Sequence, residues 1–143
     1  ALSALWDSSA LVKLYADEEG ADEARGWRGA AVVSALSMTE VLAAIWGKVA
    51  RADLSPAHAS VLDRAFLADV RRGRFEVLPV APAVIARSFE CVRRHRLRGA
   101  DAVQLASALA ARDADPRLGT MAVFDERLRA AASAEGLALL PAA

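Results

Sequence analysis

Cysteine is almost absent: among 143 residues there is one, Cys91. That excludes an intramolecular disulfide and any zinc cluster built on cysteine pairs, and it suits a reducing compartment. Long apolar runs are missing too. Although 55% of the residues are apolar, no stretch of about 18 uncharged apolar residues occurs, so no membrane span is expected. The opening residues lack the basic segment and long apolar core of a secretory signal, and a cytoplasmic location is the expectation. Neither sign of charge dominates, with 18 basic and 18 acidic residues. Any contact with nucleic acid must therefore come from local patches. Repeats, linkers and low-complexity tracts are absent, as are Gly-x-Gly-x-x-Gly and phosphate-binding Gly-Lys-Ser/Thr loops. These exclusions leave one domain over residues 1–143, long enough to bury a substantial core.

What is present is an alternation of short strand-like runs and longer helical ones. Strands are predicted at 4–6, 30–34, 75–78, 120–124 and, as an edge, 137–140. Helices are predicted after Asp7 and over 21–28, 36–50, 56–72, 82–95, 99–112 and 126–135. Ser55 followed by Pro56 is an N-cap with proline at the first helical position. In the helix over 36–50, Met38, Val41, Leu42, Ile45, Trp46 and Val49 share one face and should face the core. Strands separated by helices imply an α/β fold with a parallel sheet covered on both faces.

Four acids stand out against this background. Asp7 follows the apolar residues 4–6 and precedes a helix, and Asp125 follows Met121-Ala122-Val123-Phe124 in the same way. Such strand–helix junctions line the ligand crevice of open α/β sheets. Asp101 lies in the first turn of its helix, just off the edge of the stripe Ala102, Val103, Leu105, Ala106, Leu109 and Ala110. Each of the three also reads as a helix cap or a dipole-compensating acid. Glu40 is different, projecting from mid-helix on a face of small residues, Ala43, Ala44 and Gly47. An ordinary solvated face would carry several long polar side chains. Carboxylates brought together repel one another and raise each other's pKa unless a cation neutralises them. An all-oxygen set without Cys or a His set suits Mg²⁺ or Mn²⁺, not zinc. Such an ion can activate a water for attack on a phosphate ester.

The segments that carry these acids, in order along the chain, are Asp7-Ser8-Ser9-Ala10-Leu11-Val12-Lys13-Leu14-Tyr15, Ser37-Met38-Thr39-Glu40-Val41, Gly99-Ala100-Asp101-Ala102-Val103-Gln104-Leu105-Ala106 and Phe124-Asp125-Glu126-Arg127-Leu128. Together they resemble the PIN domain, and within it the VapC-type toxins of toxin–antitoxin pairs. The resemblance implies a three-layer α/β/α sandwich on a central parallel sheet and a Mg²⁺- or Mn²⁺-dependent endoribonuclease. Asp7, Glu40, Asp101 and Asp125 would occupy the four acidic positions and serve as metal ligands, with Ser9 as the supporting hydroxyl. A small cognate antitoxin and a homodimer are the implied protein partners. One position departs from the pattern: the family often has a hydroxyl residue two places before the last acid, and here it is Val123.

Around the acids, Arg94, Arg96 and Arg98 are candidates for holding RNA phosphates. Basic residues also commonly end helices to complement the dipole, and His95 reads as a helix-end residue. Other classes fit less well. A Mg²⁺-dependent phosphoacceptor domain needs a lysine at a late strand end, and none follows Thr120. An Asp-x-Asp phosphatase is disfavoured by Ser8-Ser9 after Asp7. A non-catalytic PIN-like binding module would have lost the acids.

Overall fold

The computed structural model describes residues 2–142. Its strands are β1 (Ser3–Trp6), β2 (Ala30–Ser34), β3 (Phe75–Leu78), β4 (Leu118–Ala122) and β5 (Ala138–Leu140). Its helices are α1 (Ser8–Leu11), α2 (Ala21–Arg25), α3 (Leu36–Ala50), α4 (Pro56–Arg71), α5 (Pro82–His95), α6 (Gly99–Ala114) and α7 (Glu126–Ala134). A 3-10 turn, Val12–Leu14, follows α1. The strands form one sheet in the order β3-β2-β1-β4-β5, with every neighbouring pair parallel.

β1 is the central strand, and all four of its residues are buried, as expected where helices cover both faces. Successive side chains alternate between the two layers. Leu5 packs with Val32, Met121 and the buried residues of α6 and α7. Its neighbours Ala4 and Trp6 pack with Val33, Ala122, Val41, Ile45 and Phe66 on the α1, α3 and α4 side. The result is the three-layer α/β/α sandwich expected from the sequence.

Local chemistry sets most of the helix starts. Ser55 accepts the His58 N–H at 3.1 Å and Pro56 opens α4. Pro82 likewise opens α5 at a position that needs no backbone donor. The consecutive helices between β2 and β3 pack as a pair, and their join differs from expectation at one residue. Trp46 is 39% exposed and not in the core. Its indole N–H donates to Asp63 Oδ2 on α4 at 2.9 Å, so it stands at the rim of the α3–α4 seam.

Strand β4 ends two residues earlier than expected. Val123 N–H still donates to Leu140 O at 3.0 Å. The next amide, Phe124 N–H, turns away from the sheet and donates to Ser9 Oγ at 3.0 Å. Val123 and Phe124 therefore form a short bridge between β4 and Asp125. Gly20, at φ +88°, makes room for that bridge: a Cβ there would fall 2.5 Å from the Phe124 ring.

Candidate active site

The site grows from the carboxyl ends of the strands. The chain leaves β1 for β2 and β3 on one side of the sheet and returns to β4 and β5 on the other. Beside β1 and β4 the order reverses, which is where open α/β sheets place their ligand crevice. Asp7 follows β1, and Asp125 follows the bridge after β4. Glu40 projects from the second turn of α3, which leaves β2, and Asp101 lies in the first turn of α6.

Asp7 is 3% exposed. Its Oδ2 accepts the Ser9 N–H at 3.1 Å and the Ser9 hydroxyl at 2.6 Å. It is thus the N-cap of α1, and the cap reading of the sequence holds for it. Ser9 Oγ also accepts from Phe124 N–H, so one hydroxyl ties the β1 junction to the β4 junction. Burial raises the Asp7 carboxyl to about 6, opposed by the two Ser9 hydrogen bonds and reinforced by the negative charges of Glu40 and Asp101. Asp101 is raised as well, by burial and by Asp125 and Glu40, with Arg98 pulling the other way. The four acids therefore interact electrostatically as a chain, Asp7 with Glu40 and Asp101, and Asp101 with Glu40 and Asp125.

Asp125 is the N-cap of α7, its Oδ2 accepting Leu128 N–H at 2.9 Å. That bond holds the carboxylate although Val123 brings no hydroxyl. Val123 instead fills the core, and its carbonyl accepts from Arg129 Nη1 at 2.8 Å. Glu40 is half-buried and its Oε1 accepts from Gln104 Nε2 at 2.9 Å.

Among the described residues, none of Asp7, Glu40, Asp101 and Asp125 has a lysine or arginine partner within ion-pair distance. Nor do any three Asp, Glu, His or Cys side chains close into a ready-made metal cage among those residues. By chemistry alone, an all-carboxylate set without an ion-pair partner suits a hard cation such as Mg²⁺, which keeps several waters and takes few protein ligands. Asp7, Glu40, Asp101 and Asp125 are the residues that could hold it.

Asp101 and Asp125 border a cleft of about 220 Å³ with Arg98 and Arg127. A larger cavity of about 380 Å³ lies at the amino ends of the strands, near Ser3, Ala30 and Leu118, away from all four acids. Of the three arginines singled out in the sequence, only Arg98 lines the acidic cleft. Arg94 is committed to Glu135 Oε2 at 2.9 Å, beside His95 at 2.7 Å from the same oxygen. Arg96 caps its own helix end, donating to Arg93 O at 2.6 Å. Arg127 and Gln104 escaped the sequence reading. Arg127 sits two residues after Asp125, and its place in the first turn of α7 was a usable signal. Gln104 lies one turn beyond Asp101 and so shares its helix face.

Comparison with known proteins bears on the family and the fold. The PIN domain family profile matches residues 4–134. Two curated relatives, ribonucleases VapC45 and VapC49 of Mycobacterium tuberculosis, are each 38% identical over 143 residues, spanning 96% of this chain and 94% of theirs. Among solved structures, Mycobacterium tuberculosis VapC20, a Sarcin-Ricin loop cleaving toxin, superposes with a TM-score of 0.65 at 15% identity, over 94% of this chain and 95% of that one. PAE2754 from Pyrobaculum aerophilum gives 0.63 at 22%, over 91% and 79%. A toxin-antitoxin complex from Klebsiella pneumoniae gives 0.60 at 19%, over 85% and 86%. At these identities the structural likeness speaks for the fold, while the profile and the curated relatives speak for descent. The chain belongs to the PIN domain family.

Proposed function

We propose that this chain, as a single PIN-like domain, is a Mg²⁺- or Mn²⁺-dependent endoribonuclease and the toxin of a type II toxin–antitoxin pair. The observation that carries the reading is the chain of four carboxylates at the carboxyl end of the sheet, coupled by repulsion through Asp7 and Asp101 and without an ion-pair partner among the described residues. The ribonuclease names of relatives 38% identical over nearly their whole length support the substrate class. A solved toxin-antitoxin complex of the same fold supports the antitoxin partner.

Asp7 and Asp101 are the central ligands in this reading, with Glu40 and Asp125 completing the acidic wall. When bound, the cation neutralises the site, polarises the phosphodiester and makes water a competent nucleophile at neutral pH. Ser9 holds the Asp7 carboxylate in one orientation while leaving Oδ1 free of its hydrogen bonds. Arg98 and Arg127, flanking the cleft, hold the RNA phosphates and draw the strand across the acids. Arg94 and Arg96, occupied elsewhere, contribute at most to the general field.

The homodimer belongs to the same proposal. Ile85, Phe89 and Val92 are 38%, 52% and 39% exposed on α5, and their spacing puts them in one stripe that a second copy would cover. Light scattering at high concentration checks it, a strict monomer counting against. No helix among the described residues is long and apolar enough to cross a membrane, which is compatible with the cytoplasmic setting that the toxin reading requires.

The test of the activity is cleavage of structured RNAs by purified protein with Mg²⁺ or Mn²⁺ against EDTA. Cleavage that needs the ion and disappears in Asp7→Asn and Asp101→Asn is the expected result. Metal-independent cleavage, or none with any RNA, removes the reading.

A further inference from the structure

Gln104 is fully buried in α6, where its neighbours Leu105, Ala106 and Ala108 are all core residues. A polar side chain in such a place costs stability unless it is hydrogen-bonded. Here only half of it is. Nε2 donates to Ser37 Oγ at 2.8 Å and to Glu40 Oε1 at 2.9 Å, using both of its protons. The amide oxygen has no partner among the described residues. An apolar side chain of the same length would fill the space without that deficit, so packing does not account for the amide.

Its geometry does account for it. Ser37 and Glu40 lie one turn apart on α3, and Asp101 and Gln104 lie one turn apart on α6. Each pair shares a helix face. The amide bridges the two faces, so that the helix carrying Asp101 holds the carboxylate of Glu40. With the amide reversed, its oxygen would face the carboxylate oxygen, acceptor against acceptor. The donor orientation is the one that meets the Glu40 Oε1 acceptor. Charge explains why a neutral donor stands there. Glu40 is repelled by Asp7 and Asp101 and needs a donor to keep it in the cluster. A lysine or arginine would also hold it, but would supply the positive charge that a cation is meant to bring.

We infer that Gln104 is a positioning residue, whose buried carboxamide fixes the Glu40 carboxylate against its acidic neighbours and so sets the site's affinity for a divalent cation. The inference rests on the metal-dependent reading above. It acts through Glu40 and requires no contact with RNA or with the cation.

The experiment measures Mn²⁺ binding to the full chain without RNA, by the electron paramagnetic resonance signal of the free ion, beside cleavage kinetics. Gln104→Met keeps length and removes the donor, and is expected to weaken Mn²⁺ binding about 10-fold with little change in KM for RNA. Gln104→His, which retains an N–H donor, should recover part of the loss. In a Glu40→Gln background, Gln104→Met should weaken binding no further, because the two act as one unit. Should Gln104→Met not fold, Ser37→Ala releases the other end of the clasp. It is expected to cost about 3-fold in Mn²⁺ affinity in the native background and nothing in Glu40→Gln. Unchanged Mn²⁺ binding in a folded Gln104→Met, or losses that add to those of Glu40→Gln, overturns the inference alone. A native protein that binds no Mn²⁺ overturns it together with the metal-dependent reading.

Discussion

Asp7 carries two roles that pull in opposite directions. As the N-cap of α1 it stabilises the fold, and as a buried neighbour of Glu40 and Asp101 it strains it. Asn caps a helix about as well as Asp, so Asp7→Asn separates the roles. In EDTA at pH 8 the variant should be more stable than the native protein by about 1–3 kcal/mol, since raising a carboxyl by about 2 pKa units opposes the charged form by that order. RNA cleavage should meanwhile be lost. Thermal melting and a cleavage assay on the same preparation check both halves. An Asp7→Asn protein that melts earlier and cleaves normally would reduce the residue to a cap. The acids were legible in the sequence because carboxylates between apolar runs demand explanation. Gln104 was not, because a lone neutral polar residue in a helix reads as solvent-facing, and its partners lie 64 and 67 positions away in the chain. The arginines were legible only as a class. Which of them reaches the cleft depends on Glu135, which captures Arg94 from the far end of α7.

At the scale of elements, the site depends on a bridge with little regular structure. Val123 and Phe124 run from β4 to Asp125 and are held by Leu140, by Ser9 and by the close approach of Gly20. Lys13 lies over the Phe124 ring at 4.6 Å and reaches Glu18 at 2.9 Å, closing the same corner. Gly20→Ala should therefore cost about 2 kcal/mol or more, from a strained positive φ and a clash with the ring. It should lower activity in proportion to the displacement of Asp125. A denaturation midpoint equal to that of the native protein would show the corner to be loose. The helices and the parallel sheet could be read from periodicity and caps. The end of β4 could not, since Val123 and Phe124 are apolar and β-favouring, and only the hydroxyl of Ser9, 115 residues away, turns the second of them out of the ladder.

For the whole molecule, two groups set opposite flanks of the pH dependence. Asp69 feels burial, which pushes its carboxyl up, but the Tyr15 hydroxyl and the Arg74 and Arg72 guanidiniums outweigh this and hold it down at about 2. A carboxyl lowered in the folded state stabilises above its ordinary value near 4, and that contribution disappears as the pH falls towards 2. Asp7 works in the other sense. Its raised value of about 6 leaves full stability below about pH 4, with loss as the pH climbs through 6. In EDTA the melting temperature should therefore peak near pH 4, falling below it as Asp69 protonates and falling above it until about pH 6 as Asp7 ionises. Mn²⁺ should restore the alkaline flank alone. A melting temperature in EDTA that stays level from pH 4 to 7 would contradict the burial of Asp7 among like charges.

The position of β1 has a consequence in time. The first strand of the chain is the middle of the sheet, and one of its two neighbours, β4, is synthesised more than a hundred residues later. Asp7 and Asp125 are separated by the same stretch. At translation rates of about 5–20 residues per second, roughly 6–24 s pass between their syntheses. Throughout that interval β1 has one edge unpaired and the acidic cleft has one wall missing. A nascent or prematurely terminated chain therefore carries no assembled cleavage site. Fragments ending before Leu118 should show neither cooperative melting nor cleavage when purified. The strand order thus delays assembly of the cleft until almost the whole chain is present.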